Sequence, residues 1–466
     1  MSISLSLACT PSSKVIPISN QPRLLYLLVE IAGGKGAQTL PSNLGFILDT
    51  SDSMHIRLVS DAQFLELAKN GQAQEIMTDG VPAYQIKSIP NDLLLSFPRR
   101  IDYVSEALMI ASEYLRPVDR FSLIAFASRP QSMISSSPGT EKLQLHQAAR
   151  ELEYMRLGNE THMDMGIALA FDEILRQAKR TGSPSYASRL ILLTDGHTRN
   201  VGKCYDWAKQ ARQKGLKLTT MGIGSEFNED LLIPLADLTG GNAYYIESPE
   251  QIPQAFRQEL GAALRVSYRN VEVKVQLSAG VDLRRVHRVL PEISNFDPGP
   301  GMGSSYSLML GDYDPAAPVT LLLELVLPPR PAGTYRLAQT LLAWDDPEDS
   351  MARPSQRQDI VLEMSDQATT PLNGRVMNIV ERVGAFKMGT HALKTAQIAA
   401  HSAQGQDKKA ATVRLRQAAT RLLDMGEQLL AETMLRQAES LERSGDLDPD
   451  ASKKLRYETR RLTQRP

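Results

Sequence analysis

Leu44-Gly45-Phe46-Ile47-Leu48-Asp49-Thr50-Ser51-Asp52-Ser53-Met54 is the stretch on which the reading of this chain turns. Its first half is an unbroken apolar run, the mark of a strand buried on both faces of a parallel sheet. Its second half is an Asp-x-Ser-x-Ser pattern at the carboxyl end of that strand, where ligand sites belong in open α/β sheets.

Working outward, residues 43 to 264 alternate short apolar runs with longer amphipathic ones, as strands joined by crossover helices do. The runs Phe121 to Ala127, Arg189 to Thr194, Lys217 to Gly224 and Ala243 to Ile246 read as further strands. Apolar residues at helical spacing mark Ile101 to Leu115, Lys142 to Met155, Met163 to Ala178, Val201 to Gln213, Asn228 to Leu238 and Pro249 to Leu264. Asn228, followed by Glu229 and Asp230, is expected to cap its helix, and Ser248-Pro249 opens the last one in the same way.

The flanks differ in character. Residues 269 to 364 carry period-two runs such as Val271-Glu272-Val273-Lys274-Val275, broken by proline and glycine, and Arg23 to Ile31 is a strand without a helix. Together they predict a β-sandwich built from both flanks, into which the α/β domain is inserted. Past Pro371 the chain turns helical, over Arg375 to Phe386, Gly389 to Gln404, Asp407 to Met425, Glu427 to Ser444 and Asp450 to Thr463, with Gly426 and Gly445 at expected helix ends. A small bundle fits better than a coiled coil, because Gly426 interrupts the leucine spacing. The organisation is then 1–42, N-terminal strands of the sandwich; 43–265, the α/β domain; 266–366, the remaining sandwich; and 371–466, the helical bundle.

Composition narrows the function. The 466 residues carry a formal net charge of -1, too little field to attract polyanions, so nucleic acid is a poor partner. Cys9 and Cys204 stand far apart without CxxC spacing, which suggests neither a disulfide framework nor a thiolate metal site. The opening MSISLSLACT resembles a lipobox at Leu7-Ala8-Cys9, yet it lacks a basic start and a long apolar run and reads as a strand. No window approaches a membrane-spanning helix, and the expected location is cytoplasmic.

Two more loops join the first. Leu157-Gly158-Asn159-Glu160-Thr161 precedes a helix, and Thr194-Asp195-Gly196 ends a strong strand, so three loops can converge on one sheet edge. At these positions the chain resembles the von Willebrand factor A family, specifically its metal-ion-dependent adhesion site: Asp49, Ser51 and Ser53 fit the first motif, Thr161 the second and Asp195 the third. The resemblance covers residues 43 to 264 and includes Pro117-Val118-Asp119-Arg120-Phe121-Ser122. It implies a Rossmann-like domain with a mainly parallel central sheet. It also implies a metal held by those five residues and left open to an Asp or Glu from a protein partner. The chemistry agrees, since carboxylate and hydroxyl oxygens suit Mg²⁺, or alternatively Mn²⁺ or Ca²⁺, and Asp49 with Asp195 just balances a dication.

Departures from the family are local. An insertion of about residues 55–98 separates the first motif from the next helix; it contains Phe64 to Ala68, the turn Thr78-Asp79-Gly80-Val81-Pro82 and Tyr84 to Ile89, enough for a helix and a hairpin beside the metal. It could shape partner choice, act as a lid, or be ornamental. Asp52 stands where glycine is common and adds negative charge.

Enzymatic readings fare worse. A phosphotransferase of the Asp-x-Asp kind lacks its second carboxylate at Ser51, and a serine hydrolase lacks the glycines of a nucleophile elbow around Ser51 and Ser53. His197 is the one histidine to check as a base, and it reads as part of a solvated loop. Gly33-Gly34-Lys35-Gly36 does not have phosphate-loop spacing and reads as a turn between domains. The basic clusters Arg456 with Arg460-Arg461, and Arg414-Arg416, alternate with acids and read as wetted helix faces.

The expectation is therefore a metal-dependent protein-binding adaptor, not an enzyme. The layout looks like bacterial intracellular members of the family that work beside kinases, phosphatases, forkhead-associated domains or AAA+ ATPases. The alternative is a structural subunit of a larger assembly in which the metal only ties loops together.

Overall fold

The computed structural model describes residues 5–34, 38–59, 61–78, 81–86, 89–181, 186–224, 226–296, 298, 304–346, 352–366, 372–402 and 405–464. The turns expected at Gly33–Gly36 and Thr78–Pro82, and the first four residues, lie wholly or partly outside them.

The chain opens with β1 (Leu5–Pro11), β2 (Val15–Pro17) and β3 (Arg23–Gly33), then leaves that layer for β4 (Ser42–Asp49). After β4 comes the insertion: α1 (Asp61–Lys69), the antiparallel hairpin β5 (Ala73–Thr78) and β6 (Val81–Ile86), and α2 (Asn91–Ser96). Phe64, Leu67, Ala73 and Phe97 give it a small core of its own. The helix and hairpin are as expected, with α2 in addition.

The α/β layer continues through α3 (Arg100–Tyr114), β7 (Arg120–Phe126), β8 (Pro130–Pro138), α4 (Lys142–Leu152), α5 (Met163–Thr181), β9 (Ala187–Thr194), α6 (Val201–Gln213), β10 (Lys217–Ile223), α7 (Glu229–Thr239), β11 (Ala243–Ile246) and α8 (Ile252–Ala263). Its sheet order is β11-β10-β9-β4-β7-β8. Every pairing is parallel except β7 with β8. Every residue of β4 is buried, as its apolar run predicted. Leu44, Phe46 and Leu48 face the layer of α3, α4 and α8, while Ile47 faces that of α5, α6 and α7. The β8 strand, PQSMISSSP, went unrecognised because an edge strand needs no apolar run.

The sandwich resumes with β12 (Tyr268–Leu277), β13 (Asp282–Leu290), β14 (Ser294–Phe296), β15 (Ser305–Tyr313), β16 (Val319–Leu327), β17 (Gly333–Asp345) and β18 (Ser355–Ser365). One sheet runs β1-β3-β16-β13-β14 and the other β15-β12-β17-β18-β2, so both take strands from both flanks of the α/β layer. Alternation along β3 and β16 explains how a third layer attaches. Leu27, Val29, Leu321 and Leu323 fill the sandwich core, whereas Leu28 and Leu322 point outward into the helical core.

That helical layer comprises α9 (Gly374–Ala400), α10 (Gly405–Asp424), α11 (Gln428–Arg443) and α12 (Pro449–Thr459). Two expected helices are one here: α9 runs straight through Gly389, which packs beside Met434 of α11. Gly426 and Gly445 take positive φ at helix ends, as expected. Among the described residues no helix is long and apolar enough to cross a membrane.

Two local readings are corrected. Arg456 and Arg460 are buried rather than wetted, with side chains 9% and 2% exposed. Arg456 pairs with Glu229 at 3.1 Å and Asp230 at 2.5 Å, and Arg460 with Asp237 at 2.6 Å and Glu292 at 3.3 Å. Thus α12 is tied to α7 and to the loop after β13. Asn228 makes no side-chain cap, and the acidic first turn of α7 is instead engaged by Lys453 and Arg456 through Glu229. Arg414 and Arg416 are exposed, as read.

Candidate metal centre

In chain order the six strands of the α/β sheet are β4, β7, β8, β9, β10 and β11, so the spatial order reverses between β4 and β9. The crevice outside the carboxyl ends of those two strands is where doubly wound sheets bind ligands. Leu48 pairs with Leu193, which brings Asp49 alongside Thr194 and just below Asp195.

The first and third loops form one chain of oxygens. Ser51 Oγ lies 3.1 Å from Ser53 Oγ, and Ser53 Oγ donates to Asp195 Oδ1 at 2.8 Å. Asp49 is held from both sides, by the Ser51 amide on Oδ1 at 2.9 Å and by the Thr194 hydroxyl on Oδ2 at 2.6 Å. The second loop reaches the third: a Cβ on Gly196 would sit 3.3 Å from Thr161 Oγ1. Asp49, Ser51, Ser53 and Asp195 are therefore joined directly, and Thr161 borders them across Gly196.

The loops are locked to the sheet and to each other. Thr50 donates its amide to the Phe126 carbonyl at 2.8 Å, and the His162 amide donates to the Ala127 carbonyl at 2.9 Å. Glu160 pairs with Arg199 at 2.7 Å, and the Met163 amide donates to Thr198 Oγ1 at 3.3 Å. Gly158 takes φ +109, and a Cβ there would come 2.3 Å from Ser128 Oγ, so only glycine lets this loop lie flat.

Asp49 and Asp195 are buried, at 0% and 2% exposure. Burial raises the pKa of both carboxyls above the ordinary range, and for Asp49 the nearby charge of Asp195 adds to it. Two buried carboxylates whose charges disfavour each other form a place where a cation is stabilising. One cation is intrinsic: Arg100 Nη1 donates to Asp195 Oδ2 at 2.8 Å and to the Ser53 carbonyl at 3.2 Å. Among the described residues no three His, Cys, Asp or Glu cluster for a metal, so the donor set is hydroxyl-rich. Two carboxylates with three hydroxyls fit a hard dication and not a soft one.

Sequence reasoning missed Thr194 and Arg100. The Thr194 hydroxyl adjoins Asp195, an expected ligand position, but Arg100 has no local signal because the insertion separates it from the Asp49 motif. His197 is exposed.

Residues 98–258 match the von Willebrand factor type A domain. The chain therefore contains a von Willebrand factor type A domain. More particularly, residues 374–465 match the Sll0103-like C-terminal alpha-helical domain, so it combines that domain with the A-type one. The Asp49 motif precedes the matched span, separated from it by the insertion. Protein sll0103 of Synechocystis is 24% identical over 352 residues, covering 74% of this chain and 72% of that one. YfbK of Escherichia coli is 23% identical over 350 residues, covering 70% of this chain but only 51% of its own length. A von Willebrand factor type A protein from Catenulispora acidiphila superposes with a TM-score of 0.73 over 99% of this chain and 97% of that one, at 15% identity. The ArnB paralog VWA2 of Sulfolobus acidocaldarius gives 0.52 over 98% and 99%, at 13% identity. At these identities the likeness is one of fold.

Proposed function

We propose that the chain is an adaptor that binds a protein partner through a divalent metal at the β4/β9 crevice. The observation that carries this is the hydrogen-bonded string Ser51, Ser53, Asp195, set beside a buried Asp49 and bordered by Thr161. A magnesium ion held by Asp49, Ser51, Ser53, Thr161 and Asp195 would supply an electrophilic position for a partner's Asp or Glu. The protein's own part is orientation: Thr194 and the Ser51 amide fix the Asp49 carboxylate, and Ser53 fixes that of Asp195. Loops pinned to strand ends lose little entropy when they gain a ligand, which favours binding. The A-type domain itself supports a role in protein interaction.

The reading is tested by calorimetric titration with magnesium, followed by partner capture with magnesium or with EDTA. Heat of metal binding and capture should both vanish in Asp49→Ala while the far-ultraviolet circular dichroism is unchanged. Partner capture that persists in EDTA overturns it. A large rise in melting temperature on adding magnesium, with no metal-dependent partner, would favour the structural-subunit reading.

A further inference from the structure

At the opposite end of the α/β sheet, by the amino ends of β9 and β10, a cleft of about 890 Å³ opens between this layer and the sandwich. Its described lining holds nine Lys or Arg and four Asp or Glu, in a chain whose formal net charge is only -1. Clefts of this size between domains are common sites for small molecules. Part of that surplus lies on the exposed rim, at Lys209, Lys214 and Arg265, and part lies deeper.

Three cations from three strands carry the deeper part. Arg288 of β13 is 7% exposed and its Nε has no hydrogen-bond partner. The carboxylate nearest to it, Asp237, is 3.7 Å away and is already gripped by both terminal nitrogens of Arg460, at 2.9 and 2.6 Å. Arg269 of β12 also has an unpartnered Nε, and its ion pair with Asp312 is a loose 3.8 Å. Lys217, at the start of β10, gives a hydrogen bond to the Asp312 backbone carbonyl at 2.5 Å. Burial lowers the Lys217 pKa to about 8, with Arg189 and Arg288 adding to the effect. Arg189 needs no ligand, since Glu259 holds it at 2.5 Å.

Buried donors left without acceptors are costly, and an anion supplying several oxygens to two guanidinium groups and an ammonium relieves that cost. A tetrahedral oxyanion offers more acceptor directions than one carboxylate. The rest of the cleft has an apolar side, with Phe296 under Arg212 at 5.9 Å and Met309 and Tyr313 nearby. We propose that this cleft binds a small phosphate-bearing organic molecule, its phosphate held by Lys217, Arg269 and Arg288 and its organic part against the Phe296 wall. The site is separate from the metal centre and does not depend on it.

The test is calorimetry and thermal unfolding of the full chain with inorganic phosphate, pyrophosphate and adenosine triphosphate, all in EDTA and at matched ionic strength. Saturable binding is expected, about tenfold tighter for the nucleotide than for phosphate. Arg288→Gln and Lys217→Gln should each weaken it at least tenfold, while Arg414→Gln, an exposed helix residue, should leave it unchanged. If Arg288→Gln does not fold, Arg269→Gln, whose side chain is 24% exposed, serves in its place. Melting temperatures that follow ionic strength alone overturn the proposal. So do equal affinities in the variants, and so does binding of hexaglutamate with none of the phosphate compounds.

Discussion

Arg100 is the residue whose placement changes most for a reader of the chemistry. Its guanidinium sits 2.8 Å from Asp195 and already balances one of the two carboxylate charges that a dication would need. A like charge at this partly exposed position opposes an incoming cation by about 1 kcal/mol, so Arg100→Gln should bind magnesium about fivefold more tightly in a calorimetric titration. Weaker binding in that variant would instead make Arg100 a support for the loop. Gly158 gives a second prediction. With φ +109 and Ser128 in the way, Gly158→Ala should lose about 2 kcal/mol in urea denaturation and also weaken magnesium binding, because Thr161 rides on the same loop. Asp49, Ser51, Ser53, Thr161 and Asp195 could be read from the chain because each lies where a strand ends or a helix begins. Arg100 could not, since its approach to Asp195 is set by how α3 packs, not by any neighbour in sequence.

At the scale of single elements, α12 and β13 show what periodicity leaves out. Along α12 the alternation of basic and acidic residues suits a solvent face as well as an interface, and only the docking onto α7 distinguishes them. The helices of the α/β layer were legible because each buries one stripe; Gly389 in α9 misled because a helix tolerates glycine at about 1 kcal/mol when a neighbour packs there. Since Arg460 is 2% exposed between Asp237 and Glu292, Arg460→Ala should cost about 3–5 kcal/mol in denaturant unfolding, by stranding two carboxylates. In β13, His287 is buried among Glu324, Lys387 and Arg285, and burial first, then Lys387, lowers its pKa from 6.5 to about 4. Between those values the unfolded chain holds a proton that the folded chain does not, so stability falls as pH drops from 6.5 towards 4. His287→Gln should flatten that limb by up to about 3 kcal/mol, read from unfolding curves at pH 4 and pH 7.

For the whole molecule, the three layers are linked by charge as well as by apolar packing, since α12 and the two residues that follow it touch both α7 and the sandwich through Arg456, Arg460 and Arg461. Wild-type protein should therefore melt in a single calorimetric transition, and Lys453→Ala combined with Arg456→Ala should split it in two, with the helical layer leaving first. The sandwich has a consequence of another kind. β3 hydrogen-bonds to β16 from Arg23 to Ile31, yet the entire α/β layer lies between them in the chain. During synthesis the nascent β3 emerges with β1 on one side and an unsatisfied apolar edge on the other, and its neighbour is translated only after the inserted layer has had time to fold. That edge stays unpaired for about tens of seconds at elongation rates of about 5–20 residues per second, a window in which it is open to association with other chains.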